Sequence, residues 1–307
     1  MKLLIAYDGS EHAKAAVRDL RRSGIPAQST ALVTTVGESP EPAVGTPSLD
    51  PTIGRRTEPL IAHDRNAVAL SLSHAEEVAQ KGALLLRDVL PRIDVTTHVR
   101  LGRPAEVILD SADAYGAELI VVGARGRSAL ARLLIGSVSQ QVATTSARSV
   151  LVARRVVERG DNPIRIIVGI DGSTASHAAV EAVAKRAWSD DTEVRVVAIA
   201  GTYRSSAVAK RIPTAAAWID ESNQAQRDTA KAVLEHAMSV LRAARLRTSE
   251  RFAEGGVEWI LNEDATEFDA DCIFVSGRSF SGDLPSGTDD AINALVTTAP
   301  CSVEIVR

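Results

Sequence analysis

Residues 119 to 138 carry the types and spacing that can do chemistry: Leu-Ile-Val-Val-Gly-Ala-Arg-Gly-Arg-Ser-Ala-Leu-Ala-Arg-Leu-Leu-Ile-Gly-Ser-Val. The apolar run Leu119 to Val122 stops at Gly123, the pattern of a buried strand ending in a turn. Gly126, Gly136 and Ser137 complete the spacing Gly-x2-Gly-x9-Gly-Ser. Glycines let backbone N–H groups close on an anion, and a new helix N-terminus adds unpaired donors and the positive end of a dipole. Ser137, with Gln140 behind it, reads as the N-cap of that helix in a capping box. The chemistry implied is a phosphate cradle between a strand and a helix. Arg125, Arg127 and Arg132 lie within it and either pair phosphate oxygens or stand as ordinary surface arginines.

The spacing is not that of a P-loop, and no Gly-x-Gly-x-x-Gly follows a strand. Four histidines in the first half, His12, His63, His74 and His98, show no ligand spacing, so no metal site built from side chains is expected. A phosphate-bound Mg²⁺ is compatible with the pattern, because Mg²⁺ needs few protein ligands.

Positioning such a cradle takes a layered α/β scaffold. Residues 2 to 7 read as a central strand, and Asp8-Gly9-Ser10 as a turn whose serine caps a helix to about Arg22. Residues 29 to 36 form a second strand, and 37 to 60, rich in Pro, Gly, Ser and Thr, a long loop. A helix covers about 65 to 90, Asp94 to Leu101 is a third strand, and Pro104 opens the next helix. Strand four runs from 118 to 122, a helix from Ser137 to about Thr145, and strand five from Ser149 to Ala153. Strands alternating with helices predict a parallel sheet with helices on both faces, and ligands in such sheets sit at the carboxyl ends of strands, where strand order reverses. Asp8 and Gly123 both follow strands and can face one crevice. Asp8 reads equally as a ligand contact and as an ordinary turn residue.

The pattern repeats. Lys2 to Ser10 matches Arg165 to Ser173, Leu119 to Val122 matches Cys272 to Val275, and Ser149-Val150 matches Ser302-Val303. Repeats of this length are whole domains, 1–154 and 164–307, joined by a charged linker. A chain of 307 residues has room for two. Charged residues are 24% and the net charge is −4, which gives no reason to expect nucleic acid or an anionic membrane as partner, and with aromatics at 3% base-stacking platforms are not expected. No apolar run is long enough for a bilayer, and two cysteines without Cys-x-x-Cys spacing suggest a reducing, cytoplasmic setting.

The opening strand with Asp-Gly-Ser, Gly102-Arg-Pro-Ala-Glu106, the glycine motif and the closing Ser-Val-Leu-Val together resemble the universal stress protein family, and the whole chain resembles two such domains in tandem. The resemblance implies a five-stranded parallel sheet of the adenine nucleotide alpha hydrolase-like fold, dimerisation through the last strand, and ATP as ligand. It implies that Asp8 lies near the ribose, that backbone around Thr35 meets the adenine, and that Gly123, Gly126, Gly136, Ser137 and Val138 hold ribose and phosphates. Thr35 stands where the family often has Val. The two closing edges are expected to pair within the chain as a pseudo-dimer, since a bare edge is costly, with a homodimer through another surface left open.

The second copy departs at every signature position: Ser276, Ser279, Asp289 and Asp290 replace Gly123, Gly126, Gly136 and Ser137. Asp suits a helix N-terminus but repels a triphosphate. The second domain is therefore expected to keep the fold and to have lost ATP; the alternative is a different cradle built on Gly277, Gly282 and Gly287. Three functional classes remain: an ATP-binding regulatory protein, a slow ATPase or other nucleotide hydrolase, and a ligand-free interaction module. No residue other than Asp8 is firmly placed to act as a base, so a non-enzyme is expected, with weak hydrolysis as the alternative.

Overall fold

The computed structural model describes residues 1–37, 54–124, 135–154, 162–173, 175–201, 213–277 and 288–307, with backbone alone for 54–65, 213 and 288–290. The first half runs β1 (Lys2–Ala6), α1 (Glu11–Asp19), β2 (Thr30–Gly37), α2 (Gly54–Val89), β3 (Asp94–Leu101), α3 (Pro104–Tyr115), β4 (Leu119–Gly123), α4 (Ser137–Thr145) and β5 (Ser149–Ala153). The second half repeats the order: β6 (Arg165–Ile170), α5 (Ser176–Ala184), β7 (Glu193–Ala200), α6 (Pro213–Ala243), β8 (Arg247–Glu254), α7 (Val257–Glu267), β9 (Cys272–Ser276), α8 (Thr288–Thr298) and β10 (Ser302–Val306).

All the strands join one ten-stranded sheet in the order β3-β2-β1-β4-β5-β10-β9-β6-β7-β8. Within each half the pairing is parallel, and the halves meet where β5 and β10 pair antiparallel, Val152 opposite Val303, Leu151 opposite Glu304 and Val150 opposite Ile305. Strands buried on both faces explain the continuous apolar runs in the sequence. Leu3 and Ile5 enter the core under α1 and α2, which continues under α5 and α6; Leu4, Ile120 and Val122 enter the core under α3, α4, α7 and α8.

Helix α2 begins at Gly54, so the loop expected over 37 to 60 and the helix expected from about 65 require correction. The buried side chains Ala75, Val78, Ala79, Ala83 and Leu86 anchor its C-terminal part on the sheet. Once that part is nucleated, adding turns toward the N-terminus fixes few dihedrals per hydrogen bond, and weak local signals suffice. The remainder of the expected loop, 38–53, lies outside the described residues.

Candidate functional site

The strand order reverses between β1 and β4, which pair in parallel with Leu3 opposite Leu119 and Ile5 opposite Val121. Connections from these neighbours leave in opposite directions, so a crevice opens at their carboxyl ends. Asp8 and Gly123 stand at that end, with the N-termini of α1 and α4.

The turn after β1 is built by its own residues. The Ser10 N–H donates to Asp8 Oδ1 at 2.9 Å, Gly9 takes φ +77°, and Ser10 Oγ accepts from the Ala13 N–H at 3.1 Å, capping α1. Glycine is needed because the turn uses left-handed backbone. The second half repeats this with Asp171, Gly172 at φ +81° and Ser173. The structural role of Asp8 is thus secured, and its half-buried carboxylate remains at the crevice mouth.

Thr35 lies in β2, buried, and its hydroxyl donates to the Tyr7 carbonyl at 2.7 Å. Its side chain therefore ties β2 to the end of β1. Thr34, next to it and 1% exposed, has a hydroxyl with no partner among the described residues. Burial pushes the Tyr7 phenol above its ordinary pKa, against the lowering effect of Lys14.

Gly123 ends β4. A Cβ added there would meet the His12 carbonyl oxygen at 3.0 Å, so this glycine admits the first turn of α1 against β4. The Ala124 N–H donates to the Ala153 carbonyl, and the Gly136 N–H donates to the Ala124 carbonyl at 2.8 Å. That last bond ties Gly136 to the residue that follows β4. Arg125, Gly126, Arg127 and Arg132 lie outside the described residues.

Helix α4 begins at Ser137, with Gly136 as its N-cap and no side-chain capping bond. The capping box expected from Ser137 and Gln140 is corrected: Gly136, held extended by its bond to Ala124, takes the cap position and Ser137 becomes the first helical residue. Ser139, buried, donates its hydroxyl to the Gly123 carbonyl at 2.6 Å and clamps the helix to the strand end. Sequence reasoning missed this clamp, since a serine within a helix carries no local signal of a distant carbonyl. Exposed Ser137 and half-buried Val138 occupy the first turn, whose N–H groups have no acceptor within the helix. Such a terminus attracts an anion.

In the second half Ser276 takes the place of Gly123, and the Gly277 N–H donates to the Val306 carbonyl as Ala124 does to Ala153. Helix α8 starts at Thr288, which puts Asp289 and Asp290 in its first turn. Ser279, Gly282 and Gly287 fall outside the described residues. No group of three His, Cys, Asp or Glu able to hold a metal occurs among the described residues.

A doubly wound sheet, parallel within each half, with a helix at its switch point that has no side-chain cap among the described residues, defines an α/β protein. The signature of the Universal stress protein family matches residues 1–154, and the chain belongs to that family. A universal stress protein of Thermus aquaticus is 34% identical over 152 residues, covering 50% of this chain and 97% of the relative. Universal stress protein YxiE of Bacillus subtilis is 33% identical over 158 residues, covering 50% and 98%. A universal stress protein structure from Archaeoglobus fulgidus covers 100% of this chain and 98% of its own, with TM-score 0.63 and 17% identity, a likeness of fold.

Proposed function

We propose that the chain is an ATP-binding regulatory protein that holds one nucleotide, in a domain spanning 1–154, while a domain spanning 164–307 keeps the fold without the ligand. The observation that carries this reading is the α4 N-terminus, capped by Gly136 without a side chain, at the β1–β4 switch point. The first-turn N–H groups of Ser137, Val138 and Ser139 would meet phosphates. Arg125, Gly126 and Arg127 would close over them, Asp8 would meet the ribose, and backbone at Thr35 the adenine. Mg²⁺ would arrive with the phosphates. In the second half the acidic residues Asp289 and Asp290 occupy the corresponding helix turn, and like charge opposes a triphosphate.

The antiparallel β5–β10 junction supports reading the halves as an internal pseudo-dimer. It consumes both closing edges, so a homodimer of whole chains would use another surface. Two buried cysteines, not joined in a disulfide, accord with a cytoplasmic setting. The test is calorimetry of ATP with Mg²⁺ on the full chain, beside mass spectrometry of any ligand released on denaturation. The expected result is one adenine nucleotide per chain; a chain that binds none overturns the reading. Sustained turnover of ATP to ADP would move it to the hydrolase class.

A further inference from the structure

The junction between the halves lies on a pseudo-twofold axis. Residues 14 to 33 align without gaps on 177 to 196, so Ser23, Gly24 and Ile25 correspond to Arg186, Ala187 and Trp188, and Leu151 corresponds to Glu304. Corresponding residues touch at the axis: the Ala187 N–H donates to the Gly24 carbonyl at 2.9 Å, and Leu151 lies opposite Glu304 in the strand pair.

The side chains at these positions are not symmetric. Trp188 lies on Gly24 so closely that a Cβ there would stand 2.7 Å from the indole ring. Arg186, its side chain 5% exposed, donates to the Ser23 carbonyl at 2.7 Å and to the carboxylate of Glu304, which is 2% exposed. The same guanidinium lies 5.1 Å from the centre of the Phe274 ring, against which Trp188 sits edge-on. Asp19 accepts from the Ser302 hydroxyl across the junction, and its counterpart in the second half is Ala182. The indole and the Arg186–Glu304 pair belong to the second half and the space to receive them to the first, which in return sends Arg22 to Asp271 across the junction.

We infer that the surface around β10 is built to take a first half and to reject a second copy of itself. Two second halves joined in this register would set Glu304 against Glu304 and Arg186 against Arg186. They would also put the Ala187 Cβ where Trp188 needs the absent side chain of Gly24, and leave Ser302 without Asp19. Two first halves would bring Leu151, Ser23, Gly24 and Ile25 together at the axis, with none of the overlap that Trp188 causes and without the Arg186–Glu304 charges. Rejection by like-charge juxtaposition, overlap and a lost hydrogen bond is how an interface excludes a wrong partner. The junction is thus selective in one direction: the second half requires the first.

The test keeps all of the chain. A protease site placed within 155–161 allows the folded protein to be cut once, denatured, refolded by dilution and weighed by native mass spectrometry. Equal numbers of the two halves are released, so each kind of pair is scored against its own monomers. Pairing without preference gives the same ratio of pair to squared monomer for second–second as for first–first pairs. The expected ratio is at least tenfold lower for second–second pairs. Replacing Arg186→Ser, Trp188→Ile and Glu304→Leu together, which gives the second half the first half's residues, should raise it at least tenfold. Equal ratios in the unsubstituted protein, or no rise in the variant, overturn the proposal.

A cycle in the uncut chain covers the case in which cut halves do not refold. Gly24→Ala should lower the folding equilibrium constant at least tenfold more with Trp188 present than in the Trp188→Ile background, a coupling of about 1.4 kcal/mol. The strain of left-handed backbone at Gly24 enters both measurements and cancels. Additive effects would remove Gly24–Trp188 as the discriminating contact and overturn the proposal.

Discussion

The Cβ that Gly123 lacks would lie 3.0 Å from the carbonyl oxygen of His12, and 3.3 Å from the Ala13 nitrogen. The first glycine of the motif is therefore fixed by packing between β4 and the first turn of α1, and it determines how near α1 stands to the crevice. The second half carries Ser276 at this position, so its helix α5 accommodates a side chain there.

Gly123→Ser should consequently destabilise the chain by about 1–3 kcal/mol, the usual cost of overpacking against backbone that cannot yield. Ser276→Gly should cost less than that. Urea unfolding of both variants checks the contrast, and a neutral Gly123→Ser would show that α1 moves freely.

Ser137→Asp places a carboxylate in the first turn of α4, as Asp290 does in α8. Acidic residues are favourable at a helix N-terminus, so stability should be kept or rise by up to about 1 kcal/mol. ATP affinity should fall by more than tenfold, since each 1.4 kcal/mol of repulsion is about a factor of ten. Calorimetry with ATP and thermal unfolding on one preparation separate the two effects; unchanged affinity would displace the nucleotide from α4.

Two adjacent threonines should behave oppositely. Thr35→Val keeps the shape and removes the donor that serves the Tyr7 carbonyl, so it should cost about 1–2 kcal/mol. Thr34→Val removes a buried hydroxyl that lacks a partner among the described residues, so it should be neutral or stabilising. Equal losses from the two would mean that Thr34 has a polar partner. Denaturant titration decides.

Burial pushes the Glu304 carboxyl above its ordinary pKa of 4.5, against the lowering effect of Arg186. A carboxyl raised on folding favours the folded state most where it is protonated, and that contribution is lost as pH rises through the raised value. The stability advantage of the parent chain over Glu304→Gln should therefore shrink between a pH below 4.5 and neutrality. Thermal unfolding of both proteins across that range is the check. An advantage that grows with pH would mean that pairing with Arg186 outweighs burial.

The sequence by itself determined the repeated strand–helix units, because strand burial, turn chemistry and helix starts are written locally. The bounds of β5 and β10 follow from largely apolar runs opened by Ser149 and Ser302, β3 is closed by Gly102 ahead of Pro104, α4 opens after Gly136, and the Asp-Gly-Ser turns follow from a left-handed glycine beside a short acceptor. The glycine spacing marked the strand–helix passage around 123 and 136, and the changes to Ser276, Asp289 and Asp290 marked the unequal second copy. Tertiary structure alone decided why Gly123 is a glycine, since His12 meets it only after β1 and β4 pair. It likewise decided that Gly136 rather than Ser137 caps α4, because the Ala124 carbonyl at the end of β4 accepts from the Gly136 N–H. The N-terminal extension of α2 depends on packing farther along the same helix. The one-sided fit of Trp188 on Gly24 and Arg186 on Ser23 joins residues more than half the chain apart, and no local pattern encodes contacts that exist only when the two halves meet.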